Sequence, residues 1–170
     1  MFRRIDDFVT IWTEELKKTR EVLARVPAAA LKAPGAPHRD LGRLGWHLLE
    51  TCVELPSHLG LAVPGPKIAN GFIAEPVPGD PAAIDAAYGV SATALAELVK
   101  RWNDAELEAV VEMYGERWTK GYALFALVVH QAHHRGQMAL LLRQAGVQPT
   151  DVYGPTREGW AKYGLEAPAV

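Results

Sequence analysis

Three histidines in this 170-residue chain stand where their rings could share one metal ion. His130 and His134 lie four residues apart in the run ALFALVVHQAHHRGQMALLLRQAG. On a helix, that spacing puts both rings on one face, one turn above the other. Both imidazoles can then meet a divalent metal at about 2.0–2.1 Å. His47 sits in GWHLLE between apolar neighbours, which predicts a ring turned into the interior of a helical domain. Three histidines with one open position are the usual arrangement of a reactive zinc-type site.

Residues around these three suggest supporting roles. Glu50 and Glu54 follow His47 by three and seven positions, and either could orient a ligand or accept a proton. Gln137, three beyond His134, is placed to hydrogen-bond a water on the metal. Arg135 could bind an anionic substrate or pair with a carboxylate on a helix face. Gly136 would let another helix come close. His133 points about a quarter turn away from His134 and is expected at the surface or behind the ligands. His58, eleven residues after His47, would share its face in an unbroken helix, but Pro56 disfavours that. It is therefore a weaker alternative ligand. His38 falls in a loop and carries no role. Cys52, five residues from His47, points well round the helix and reads as a buried structural thiol.

Helices must position these groups. Apolar residues at three- and four-residue spacings predict a first helix over Ile5 to Val26, ended by Pro27 and the PGAP stretch. Asp40 can cap a second helix through Leu55, with Pro56 kinking or ending it. Residues 63–81 are rich in proline and glycine and read as a long connection. Asp80-Pro81 opens a third helix to about Trp102. Residues 105–118 are ambiguous, with a turn at Tyr114-Gly115. Thr119 can cap a long fourth helix through Gln144, stopped at Gly146. A short helical turn is expected near Arg157 to Tyr163. No strand is convincing. The fold class that follows is all-α, a four-helix bundle in one domain over residues 1–170.

Composition narrows the function classes. The formal net charge is −2, so there is no basic excess to neutralise phosphates, and nucleic acid is not an expected partner. The single cysteine allows no internal disulfide and suits a reducing cytoplasm. Charges at Arg3, Arg4, Asp6 and Asp7 break any apolar leader. Apolar runs such as Tyr122 to Val129 fall short of the roughly 20 residues of a membrane span, so no membrane is expected.

The run HQAHHRGQMALLLRQAG resembles the signature helix of the DinB-like (DinB/YfiT) superfamily of metalloenzymes. The histidine in LGRLGWHLLE is similar to that family's first ligand, and the tail VQPTDVYGPTREGW to its usual ending. The resemblance covers nearly the whole chain by layout, and is specific at HxxxHRGQ. It implies an up-down-down-up bundle, which needs the long crossover after helix two. It also implies nickel or zinc on His47, His130 and His134, and a homodimer. Trp12, Phe8 and Leu16 on the first helix offer a weak sequence hint of such an interface. Characterised members are transferases using low-molecular-weight thiols such as bacillithiol and mycothiol, thiol-dependent maleylpyruvate isomerases, and hydrolases.

Three functions follow as expectations. A thiol S-transferase leads, with Glu50, Gln137 and Arg135 supporting the ligands or touching a small-molecule substrate. A metallohydrolase needs a carboxylate free to act as base near the metal's open position. A binding module or stress sensor would show a closed coordination sphere or no cavity beside it. Spacing alone does not choose the metal, because imidazole suits nickel, zinc, copper and iron.

Overall fold

The computed structural model describes residues 1–32 and 39–169, so His38 lies outside the described residues. Its frame is four helices: α1 (Ile5–Leu23), α2 (Leu41–His58), α3 (Pro81–Val99) and α4 (Lys120–Gln144). Three of them start on the caps the sequence predicts. The Asp40 carboxylate accepts from the Arg43 N–H at 2.7 Å, Asp80 from Ala82 at 2.9 Å, and the Thr119 hydroxyl from Tyr122 at 3.2 Å. Each satisfies a first-turn donor that has no partner within the helix. α1 and α3 stop short of the expected Val26 and Trp102. In both, the final turn tightens into i→i+3 bonds, Val26 N–H to Leu23 at 3.0 Å and Trp102 N–H to Val99 at 3.0 Å. Pro56 does not end α2, which runs two residues further to His58.

Contacts between the helices fix their directions. The Phe2 N–H donates to the Gly121 carbonyl, so α1 and α4 start together and run parallel. Arg20 late in α1 pairs with Asp85 early in α3 at 2.7 Å, so those two are antiparallel. Gly45, early in α2, lies against Ile84 at the start of α3 and Met138 in the second half of α4. The bundle is therefore up-down-down-up, with α1 and α2 each wedged between α3 and α4. Residues 59–80 return the chain so that α2 and α3 run the same way.

Wedging buries the inner faces. Phe8, Trp12, Leu48, Leu49, Tyr88, Leu95, Leu124 and Leu142 are fully buried, and the Trp12 indole N–H donates to the Ala92 carbonyl at 2.8 Å. This removes the sequence hint of a dimer face on α1, because Phe8 and Trp12 are core residues. α3 is long and apolar enough to cross a membrane by composition alone. Here, though, it is a core helix: Ile84, Tyr88, Ala92, Leu95 and Val99 face its neighbours, and Asp85 is ion-paired.

Close helix approach comes from glycines other than Gly136. A Cβ on Gly45 would meet Leu23 of α1 at 2.9 Å, and one on Gly121 would collide with the Phe2 carbonyl oxygen just ahead of α1, while a Cβ on Gly136 would meet nothing within 4 Å. The expectation of no strands is also corrected. Two small antiparallel hairpins form, β1 (Ile68–Ala69) with β2 (Phe72–Ile73), and β3 (Val110–Met113) with β4 (Glu116–Thr119). Each turns on a residue pair with positive φ, Asn70-Gly71 and Tyr114-Gly115. This backbone matches the right-handed twist of the strands it joins. Where the tail is expected to make a short helical turn, it forms a 3₁₀ helix at Glu158–Tyr163.

Candidate metal centre

α2 and α4 pack antiparallel, and a buried polar clamp sets their register. The Gln131 amide, fully buried, donates to the Leu48 carbonyl and the Thr51 hydroxyl, both at 2.9 Å, and accepts from the Tyr88 hydroxyl at 3.2 Å. Three helices are thereby pinned one residue away from His130. In the sequence, Gln131 is marked only as a polar residue one position beyond His130 on an otherwise apolar helix stretch.

In this register three rings converge. The His130 Nε2 lies 3.1 Å from the His47 Nε2 and 3.0 Å from the His134 Nε2. Ring centroids are 4.4–5.2 Å apart. The far nitrogens of the two outer rings are held from three residues on. The His47 Nδ1 meets a Glu50 carboxylate oxygen at 2.8 Å, and the His134 Nδ1 meets the Gln137 amide oxygen at 2.8 Å. Carboxylate and amide oxygens can only accept, so both Nδ1 atoms carry the proton and both Nε2 atoms present lone pairs. His130 can donate to at most one of them. A metal ion would resolve the convergence, since all three nitrogens could then be ligands.

Distance agrees with that reading. Each of the two separations from His130 subtends roughly 95° at an ion about 2.0–2.1 Å away, between octahedral and tetrahedral values, and all three ligating atoms lie within 4.8 Å of one another. Burial pushes the His130 pKa down to about 4, helped by His134, His47, His133 and the charge of Arg39. His134 is lowered too, again mainly by burial, with the Gln137 bond opposing. Neutral imidazole is the ligating form, so the environment prepares the rings to bind. The residues present fit one divalent ion.

The layout matches a known group. A family model described as the DinB family matches residues 1–167. The chain belongs to the DinB family. The protein YrdA of Bacillus subtilis (strain 168) is 34% identical over 170 residues, with 99% of each chain covered. A crystal structure of a DinB-like protein from Bacillus cereus ATCC 10987 matches with a TM-score of 0.80 at 32% identity, covering 90% of this chain and 100% of that one.

Within this DinB-family fold, the other sequence candidates fall into place. Glu50 is 2% exposed; besides His47 it accepts the Ile73 N–H at 2.8 Å, tying the β1–β2 hairpin to the centre, and lies 3.6 Å from Arg43. Gln137 spends its oxygen on His134, and its amide nitrogen donates to the His133 Nε2 at 3.1 Å, so it orients a ligand instead of holding a water. His133 is exposed and outside the cluster, as its spacing predicts. His58 is no ligand: it bonds Glu54 at 2.9 Å on the wall of a neighbouring cavity. Arg135 takes the second of its two expected roles, pairing with a helix-face carboxylate. Its guanidinium is 1% exposed and turned towards α1 and the tail: it pairs with Glu15 and donates to the Tyr153 hydroxyl and, at 2.7 Å, to the Thr19 hydroxyl. Cys52 is fully buried, and burial pushes its thiol pKa well up, so it remains a core thiol.

The open side of the triad faces a cavity of about 650 Å³, lined by His47 and His130 and walled by Leu55, Phe72, Tyr114 and Trp118. Its lining is mostly apolar. The two carboxylates on its wall are both engaged: Glu50 as above, and Glu54 by the Tyr114 hydroxyl at 2.6 Å and by His58. The β3–β4 hairpin, which sequence reasoning left ambiguous, supplies Tyr114 and Trp118.

Proposed function

We propose that His47, His130 and His134 hold one nickel or zinc ion, and that the protein is a metal-dependent enzyme transferring a low-molecular-weight thiol to an electrophile. The observation that carries this reading is an open, mostly apolar cavity against the histidine centre with no unengaged carboxylate on its wall. A divalent ion at such a site lowers the pKa of a coordinated thiol, so that thiolate is present at neutral pH. Glu50 and Gln137 keep the two outer rings in the ligating tautomer. Phe72, Tyr114 and Trp118 offer apolar surface for the electrophile's carbon skeleton beside the centre. The new S–C bond forms as the leaving group departs with its bonding pair, and the thiol proton passes to solvent.

A hydrolase needs a base beside the open position, and both carboxylates there are already bonded. A pure binding module is disfavoured by the size of the cavity. We place the protein in the cytoplasm, where its lone thiol stays reduced. We also propose a homodimer through α4, where Tyr122, Phe125, Val129 and Leu140 form an exposed apolar stripe at helical spacing. The test is turnover by the nickel- and zinc-loaded protein with bacillithiol, mycothiol, glutathione and coenzyme A, set beside elemental analysis of wild type and H47A, H130A and H134A. Metal-dependent consumption of one thiol is expected. Absence of turnover with all four removes the transferase reading, and undiminished metal in the variants removes the site.

A further inference from the structure

A second cleft meets the histidine centre from another direction. It encloses about 230 Å³ and is lined by Arg39, Arg43, Leu44, His47 and Phe72. His47 and Phe72 therefore line both this cleft and the larger cavity. Phe72 stands next to the tight Asn70-Gly71 turn, and the neighbouring Ile73 N–H is anchored on Glu50. The aromatic ring thus forms a partition between two chambers that share one ligand.

The chambers differ in chemistry. The larger is mostly apolar, with its carboxylates engaged. The smaller contains two guanidinium groups. Arg43 is ion-paired with Glu50 at 3.6 Å, too long for a hydrogen bond, and stays about one-third exposed. Among the described residues no carboxylate pairs with Arg39, and the adjoining 33–38 stretch, APGAPH, contains no acidic residue. Arg39, Arg43 and a divalent ion at the histidines together outweigh the one carboxylate among them, Glu50, so an occupied site has a positive local potential. Such an arrangement is favourable when the occupant carries negative charge, and guanidinium recognises carboxylate and phosphate alike through paired N–H donors.

We propose that Arg39 and Arg43 form the subsite for an anionic group, carboxylate or phosphate, of the thiol substrate, whose sulfur reaches the centre past His47 while the electrophile occupies the apolar cavity across Phe72. This rests on the thiol-transferase reading and adds a substrate class to it: acidic thiols in preference to neutral ones.

Cobalt-loaded protein gives a test that does not depend on turnover, because thiolate ligation produces a near-ultraviolet charge-transfer band. Two matched pairs are titrated: N-acetylcysteine against N-acetylcysteamine for carboxylate, and 4′-phosphopantetheine against pantetheine for phosphate. At least one acidic member is expected to bind about tenfold more tightly than its neutral partner, and which pair shows it identifies the anion. In R39Q the ratio should fall to about one, and R39K should restore part of it. Equal affinities within both pairs, or a preference that survives in R39Q, overturns the subsite while leaving thiol ligation standing. If no thiol produces the band, the transferase reading fails. The subsite is then judged by calorimetry of glutarate and inorganic phosphate with zinc-loaded wild type and R39Q. Binding weakened in R39Q supports it; no binding, or equal binding, overturns it.

Discussion

Replacing Glu50 by glutamine isolates what a carboxylate behind a ligand contributes. Its side chain accepts two hydrogen bonds of 2.8 Å, from His47 Nδ1–H and from the Ile73 N–H, and it is 2% exposed. A glutamine has one acceptor oxygen, so one of these donors must face an amide NH₂ and go unbonded. If the histidine loses its partner, its proton is free to move to Nε2 and the lone pair is no longer aimed at the ion. Losing a group of this kind typically weakens metal binding about 10–100-fold, or about 1.4–2.7 kcal/mol. That range is consistent with one charge-assisted bond of about 1.5–3 kcal/mol. Glu54, one turn further along α2, provides the control. It bonds Tyr114 and His58, not a ligand, so E54Q should change affinity by less than about twofold. Competition for zinc against a chromophoric chelator at pH 7.5 measures both. Wild-type affinity in folded E50Q, or an equal loss in E54Q, would refute the claim that Glu50 orients His47.

Other perturbations follow from the same geometry. The metal-free protein should lose stability on acidification from about pH 6.5 towards about pH 4, because the unfolded chain takes up a proton that His130 refuses while folded. Urea midpoints at pH 7 and pH 5 check this, and H130A should flatten the difference. Breaking the buried pair with E15Q should cost about 3–5 kcal/mol by stranding the Arg135 charge, whereas replacing both partners by apolar residues should cost less. Denaturation of the single and double variants decides. G121A should destabilise by about 1–3 kcal/mol, since its methyl would collide with the Phe2 backbone, which cannot rotate away, while G136A should not destabilise. Sedimentation should return a dimer mass, and V129D with L140D should return the monomer; a wild-type monomer refutes the α4 interface.

Legibility of the site followed the range of the interactions. His130 and His134 were readable together because a helix converts a spacing of four into a shared face whatever the rest of the fold does. His47 was readable as an inward ring because its flanks are apolar. Asp40, Asp80 and Thr119 announced their helices, since a cap acts within three residues. The same logic failed where one residue had several possible neighbours. Arg135 could be read as a substrate contact or as the partner of a helix-face carboxylate, and only the fold chose the second, Glu15 on α1; Gly136 reads as a helix contact, yet nothing approaches it. The two hairpins were missed although Asn70-Gly71 and Tyr114-Gly115 are turn signals, because strands of two to four residues carry too little periodicity to register against helical background.

The chain by itself therefore determined the four helices, their order, the paired candidate ligands on the fourth and the third candidate on the second, because these depend on contacts between residues close in sequence. Tertiary structure alone decided that the three imidazoles point at each other. It also decided which residues hold their tautomers, that Arg135 faces away, and that two chambers of different charge meet at His47 and Phe72. Those facts depend on groups up to 120 positions apart, such as Glu15 and Arg135, and no local pattern encodes which distant surfaces the packed core will bring together.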